Sequence, residues 1–176
     1  LRTCRGVRFV QFPGGHRDGL ACGDESSNGD SADVATAMLS PKSGNTTLAG
    51  TATFEGEAGS IKLTLSVTGA PPGEHGVHIH EKGDCRAADA MSAGGHWNPN
   101  MTMHAAPGAT AHLGDLGNMT VDAAGKGSLT ATNAMWEIGT GSAKDLIGKA
   151  VIVHGMADDL MTQPTGNAGG RIGCGA

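Results

Sequence analysis

Ile61, Leu63, Leu65 and Val67 alternate with Lys62, Thr64 and Ser66. Successive side chains of an extended chain point to opposite sides, so the four apolar residues share one face of a strand. On a helix the same residues would be scattered around the circumference. The stretch therefore predicts a half-buried strand with one face on a core and one in water. Further candidate strands lie at 34–39, 46–55, 116–122, 126–132, 146–154 and 171–175, and another strand ends at His80. Turn residues separate them, among them Pro41 to Gly44, Gly69-Ala70-Pro71-Pro72-Gly73 and Ala124-Gly125. Eight short strands predict an all-β fold, an eight-stranded Greek-key barrel or sandwich of immunoglobulin-like type. Two stretches without alternation, 81–115 and 155–170, are its long loops, and loops of that length inside a compact domain usually carry function. A short helical turn is expected near 87–91, and Trp136 is expected to plug the barrel from a loop.

The 176 residues suffice for one domain with a real core. Aromatic residues make up 3% and tyrosine is absent, so Val, Ile, Leu and Ala must build that core. The 30 glycines suit a chain of many turns. Residues 23–176 carry 8 Lys and Arg against 16 Asp and Glu, which argues against a nucleic-acid-binding surface. No apolar run approaches the roughly 18 residues of a transmembrane helix.

Residues 1–32 read as a flexible leader or linker, and 33–176 as the folded domain. The absence of an initiator Met suits a processed or truncated amino terminus, and the close of the chain two residues after Cys174 suits a clipped carboxy terminus. Gly19-Leu20-Ala21-Cys22 is similar to the small-residue-then-cysteine pattern of a bacterial lipoprotein cleavage site, which makes Cys22 a candidate lipid anchor. The alternative is a disordered leader with an incidental cysteine. Cys4, Cys22, Cys85 and Cys174 form no C-x-x-C motif. By composition alone Cys85 and Cys174 are equally readable as a disulfide or as two buried thiols.

His78 and His80, two apart on a strand, project to one side, with Val77 and Ile79 on the other. Two imidazoles on a rigid strand are half of a copper or zinc site. His96, His104, His112 and Asp115 follow in the long loop, and His154 closes the apolar strand. A loop with so little hydrophobic content needs something to order it, and a metal does so directly. Imidazoles with one carboxylate suit one or two late transition metals, but the chemistry leaves the division of ligands open.

Five motifs occur in order: Gly76-Val77-His78-Ile79-His80-Glu81-Lys82-Gly83-Asp84; Ser92-Ala93-Gly94-Gly95-His96-Trp97-Asn98-Pro99; His112-Leu113-Gly114-Asp115-Leu116-Gly117-Asn118; Val153-His154 with Ala157-Asp158-Asp159-Leu160; and Gly166-Asn167-Ala168-Gly169-Gly170-Arg171 with Cys174-Gly175. From 33 to 176 the chain resembles the copper/zinc superoxide dismutase family, in its bacterial form. The resemblance implies dismutation of superoxide to oxygen and hydrogen peroxide, an antioxidant activity. It implies copper on His78, His80, His96 and His154, and zinc on His96, His104, His112 and Asp115, with His96 bridging the metals. Asp158 would link a copper ligand to a zinc ligand, Arg171 would attract the superoxide anion, and Cys85 would pair with Cys174. His96 and Arg171 are the residues expected to take part in catalysis. His75 is expected to be structural or superficial, and Cys4 and His16 receive no role.

No Lys lies between 150 and 170, so any steering beyond Arg171 is expected from Lys82, Arg86 or Lys62. The expected location is extracytoplasmic, in the periplasm or on a membrane as a lipoprotein, and a homodimer is one expected assembly. A non-enzymatic copper or zinc buffer or delivery protein on the same fold is the competing function, because a fold alone does not specify a reaction.

Overall fold

The structure is a computed structural model and describes residues 33–108 and 110–176. The leader assigned to residues 1–32, with Cys4, His16 and the candidate anchor Cys22, lies outside the described residues. Eight strands succeed one another: β1 (Val34–Pro41), β2 (Ala49–Glu57), β3 (Ser60–Thr68), β4 (Gly73–His80), β5 (Asp115–Val121), β6 (Gly127–Asn133), β7 (Ala150–His154) and β8 (Arg171–Gly175). All neighbours are antiparallel, in the order β1-β2-β3-β6-β5-β4-β7-β8, and β8 returns to β1 to close the barrel. Among the described residues, closure leaves no unpaired sheet edge. The jump from β3 to β6 and the place of β4 between β5 and β7 are the Greek-key crossings.

The alternation in β3 sets the inside of the barrel. Ile61, Leu63, Leu65 and Val67 are buried, while Thr64 and Ser66 are exposed. They join Phe54, Val77, Ile79, Leu116, Val151 and others in one core. Trp136 is buried as expected, edge-on to Phe54 with ring centres 5.7 Å apart. Its indole N–H donates to the Leu113 carbonyl (3.0 Å), so its polar atom is satisfied.

Two strands start later than the sequence suggests. β2 begins at Ala49 because Asn45 Oδ1 accepts the N–H groups of Thr47 (2.7 Å) and Leu48 (2.9 Å), which turns the chain there. β7 begins at Ala150 because 146–149 form a turn, closed by the Lys149 N–H on the Leu146 carbonyl (3.1 Å) with Gly148 at φ +80°. The short helical turn is a 3₁₀ turn at Met91–Ala93, slightly later than expected.

β4 is covered on both of its faces. From His75 to His80 every residue is buried. Val77 and Ile79 join the barrel core, so His78 and His80 face outward, beneath the two long loops. Loop 155–170 lies close against β4 at Gly76, where a Cβ would come within 2.9 Å of the Ala168 side chain and 3.2 Å of that of Asp158. Loop 81–114 is fastened by the Cys85–Cys174 disulfide, which joins it to β8. A cross-link closing a loop of 89 residues contributes about 4–5 kcal/mol by constraining the unfolded chain. A second small cluster, Ala90, Ala93, Ala150, Ile152 and Cys174, packs this loop onto the outside of the barrel.

Candidate metal centre

His96 reaches β4 by pairing with it. The Glu81 N–H donates to the Gly95 carbonyl (3.0 Å) and the Trp97 N–H to the Ile79 carbonyl (2.8 Å), which sets His96 directly opposite His80. Opposed residues of an antiparallel pair share a face, so His96 joins His78 and His80 on the outer side. The His96 and His78 rings are stacked, 3.8 Å between centres. His154 arrives at the end of β7, and its ring centre is 4.9 Å from that of His78 and 5.7 Å from that of His80. On the other side of His96 lie His104 and His112, with ring centres at 5.5 and 5.6 Å. Asp115 begins β5 beneath them, because β5 pairs with β4 and sets Asp115 opposite His78.

Each imidazole uses one nitrogen within the protein or leaves one without a partner. His80 Nδ1 faces the Gly94 carbonyl (2.9 Å), and His154 Nδ1 faces that of Gly169 (3.2 Å). His78 Nε2 pairs with Asp158 Oδ2 (2.7 Å) and His104 Nε2 with Asp158 Oδ1 (2.9 Å), so one carboxylate ties the two sides together. His96 Nδ1 lies 2.9 Å from Asp115 Oδ1. The remaining atoms, His78 Nδ1, His80 Nε2, His96 Nε2, His104 Nδ1, His112 Nδ1 and His154 Nε2, are buried without a hydrogen-bond partner. An unsatisfied buried polar atom typically costs about 1–3 kcal/mol. Six of them in one place are what a ligand set presents, and the donor set fits late transition metals.

Two groups have ligand atoms close enough to share an ion: His78, His80, His96 and His154; and His78, His96, His104 and Asp115. The first is the expected copper set. The second holds His78 where His112 was expected. His112 stands beside this group: its Nδ1 also has no partner and lies 3.3 Å from Asp115 Oδ1. His104 Nδ1 is 3.0 Å from Asp115 Oδ2 but outside hydrogen-bond geometry.

The electrostatics favour the neutral form, which ligation requires, at His78, His80, His112 and His154. Burial, assisted by Arg171 and neighbouring histidines, lowers His80 to about 2. Burial, then His78, His96 and Arg171, lowers His154 to about 3. His78 and His112 are lowered as well, in each case chiefly by burial. Burial opposes ionisation of Asp158, but the hydrogen bond with His78, the Leu160 N–H and His104 outweigh it and hold the carboxylate at about 2. Asp115 is likewise held low against burial by His96, His104 and His112.

The His78-His80-His154 side opens on a cleft of about 380 Å³ whose walls include His80, His154, Arg171, Asp89, Met91 and Asn167. Arg171, at the start of β8, donates to the carbonyls of Ala90 and Gly94, both at 2.7 Å. The Gly94 carbonyl thus receives both Arg171 and His80. The other cations expected to steer are elsewhere. Lys62 lies 3.6 Å from Glu57, Lys82 lies 3.9 Å from Glu81, and Arg86 holds Asp84 at 2.7 Å. None of the three lines the cleft, where Arg171 is the cation among the lining residues. His75 is structural: its ring spans the carbonyls of His154 (2.7 Å) and Pro71 (2.8 Å), fixing the backbone behind a ligand. Sequence reasoning gave no part to Gln163, whose amide meets the backbone of His104 across the two loops.

A family profile described as copper/zinc superoxide dismutase (SODC) matches residues 48–176. The chain belongs to the copper/zinc superoxide dismutase family. Copper and zinc are accordingly its metals. The extracellular superoxide dismutase [Cu-Zn] of Caenorhabditis elegans is 39% identical over 137 residues, covering 74% of this chain and 61% of that protein. That of Haemonchus contortus is 39% identical over 122 residues, covering 65% of each. The chain thus spans slightly under two thirds of these curated relatives. A crystal structure of a double mutant of a SOD-like protein from Bacillus subtilis superposes with a TM-score of 0.71 at 35% identity, covering 80% of this chain and 95% of that one. The shared barrel and the shared family agree with the eight-stranded Greek-key fold read from the strand pattern.

Proposed function

We propose that this protein dismutes superoxide to oxygen and hydrogen peroxide. The observation that carries the reading is the set of six unpartnered imidazole nitrogens, five of them in two groups that share His78 and His96, beside a cleft walled by Arg171. His78, His80, His96 and His154 would hold copper, and His96, His104, His112 and Asp115 would hold zinc. When bound, copper supplies a one-electron redox couple and zinc a fixed charge that orders its loop.

The chain's own residues do the rest. Two of Arg171's N–H groups are spent on carbonyls, which fixes the guanidinium; its remaining donors can bind a small anion in the cleft. Positive charge there draws superoxide toward a protein of net charge −5. His96 offers a nitrogen to each side, and its Nε2 is the atom placed to hold a proton and deliver it to the reduced anion. Asp158 keeps His78 and His104 in fixed orientation.

The deciding assay is superoxide consumption by protein loaded with copper and zinc. Activity well above that of free copper is expected, and activity no better than free copper would sink the reading. That result would favour the second reading, a metal-binding protein without turnover, which the SOD-like name of a similar structure keeps in view. An extracytoplasmic location fits the disulfide and the extracellular relatives. The periplasm, a lipid on Cys22 and a homodimer belong to the same proposal. Mass spectrometry of the native amino terminus and sedimentation of the purified protein test the last two. Among the described residues no helix is long and apolar enough to cross a membrane.

A further inference from the structure

We propose that Gln163 is a positioning residue for the zinc side of the centre: its side-chain amide grips the backbone of His104 and holds that imidazole beside Asp115. His104 lies in an irregular stretch of the long loop, where no strand ladder fixes the main chain. It is nonetheless buried, so its backbone N–H and carbonyl need partners. Gln163 provides both. Its Oε1 accepts the His104 N–H at 2.8 Å, and its Nε2 donates to the His104 carbonyl at 2.7 Å. Only one orientation of the amide satisfies both contacts. A further bond from Nε2 to the Met161 carbonyl (3.1 Å) fixes the Gln163 side chain itself.

The arrangement has a counterpart at the other end of the same link. Asn118 accepts the Asp158 N–H at 2.7 Å and donates to the Asp158 carbonyl at 2.9 Å. His104 and Asp158 are joined side chain to side chain at 2.9 Å. Each member of that pair therefore has its backbone clasped by an amide from a different segment. The Gln163 clasp also ties loop 155–170 to the zinc side, 59 residues away in sequence. Without it, His104 would keep its ring contacts but lose the anchor of its Cα. A ligand that must be ordered when the metal arrives binds that metal more weakly.

The inference rests on the division of ligands proposed above, not on turnover. The test uses the full chain with Gln163→Ala and Gln163→Met, the latter retaining length and apolar bulk without the hydrogen bonds. Zinc and copper affinities are each measured by competition with a chromophoric chelator. Both variants are expected to lose about 10–100-fold in zinc affinity, the usual loss for a residue that orients a ligand, with copper affinity unchanged. Hydrogen exchange at the His104 amide is expected to quicken in both, while the amides of Leu63 and Leu65 keep their protection. Unchanged zinc affinity, unchanged exchange at His104, or equal loss of both metals would each overturn the proposal. Wild-type protein that binds zinc yet does not consume superoxide would sink the dismutase reading and leave this one standing.

Discussion

At the residue scale, the centre divides the work of each imidazole: His80 and His154 turn Nδ1 to a carbonyl and keep Nε2, while His78 turns Nε2 to Asp158 and keeps Nδ1. The partner of one nitrogen thus selects the nitrogen available to a metal. His154 touches only the first group of ligands. His154→Ala should therefore abolish copper binding and activity while most zinc stays bound; metal analysis after dialysis checks this, and parallel loss of both metals would contradict it. Arg171 combines a charge with a fork that holds two carbonyls. Arg171→Ala should slow superoxide consumption about tenfold or more at low salt and flatten its salt dependence. Arg171→Lys should keep the salt dependence but recover only part of the rate, since an ammonium lacks the planar fork. Rates measured across a salt series separate the two effects. Gly166 shows how tight the site is: a Cβ there would overlap Asp158 Oδ1 and stand 2.5 Å from His104 Nε2.

At the element scale, the strands were legible because their period is local. Ile61 to Val67 needed no knowledge of partners, whereas the starts of β2 and β7 moved because Asn45 and the 146–149 turn compete with extension. The connection before β7 has its own device. Asp145 is buried and accepts N–H groups from Gly139 (3.0 Å), Gly141 (2.6 Å) and Ile147 (2.9 Å). Burial opposes its charge, but these donors prevail and hold it below the usual carboxylate range. Asp145→Asn keeps one acceptor and turns an NH₂ toward an N–H, so it should cost about 1–3 kcal/mol at neutral pH. The sign with pH comes from the depressed value. The carboxylate's contribution is present above its unfolded pKa of about 3.9 and is lost as pH falls through the lower folded value. Urea midpoints of wild type and Asp145→Asn should differ at pH 7 and converge in strong acid; an equal gap at both would refute the role.

At the scale of the whole molecule, the barrel supplies a rigid wall and the loops complete a site that stays costly without its metals. Six buried nitrogens lack partners, so ligands that satisfy them should stabilise the fold strongly. A ligand at 1,000 times its dissociation constant adds about 4 kcal/mol. Loading copper and zinc should raise the melting temperature by many degrees and chelation should reverse it; a calorimetric midpoint indifferent to metal would count against the ligand set. The order of amino acids was enough to place the strands, the outward pair His78 and His80, and, through its motifs, the family and its expected ligands. These are properties of local period and residue type. Folding alone settled which nitrogen each imidazole keeps, that the two ligands the expected Asp158 link joins are His78 and His104, and that Lys62, Lys82 and Arg86 stand beside carboxylates instead of lining the cleft. It also brought Gln163 to His104. The Asp158 and Gln163 links depend on two loops meeting over β4, and contacts between residues 54 to 80 positions apart leave no period in the chain to read.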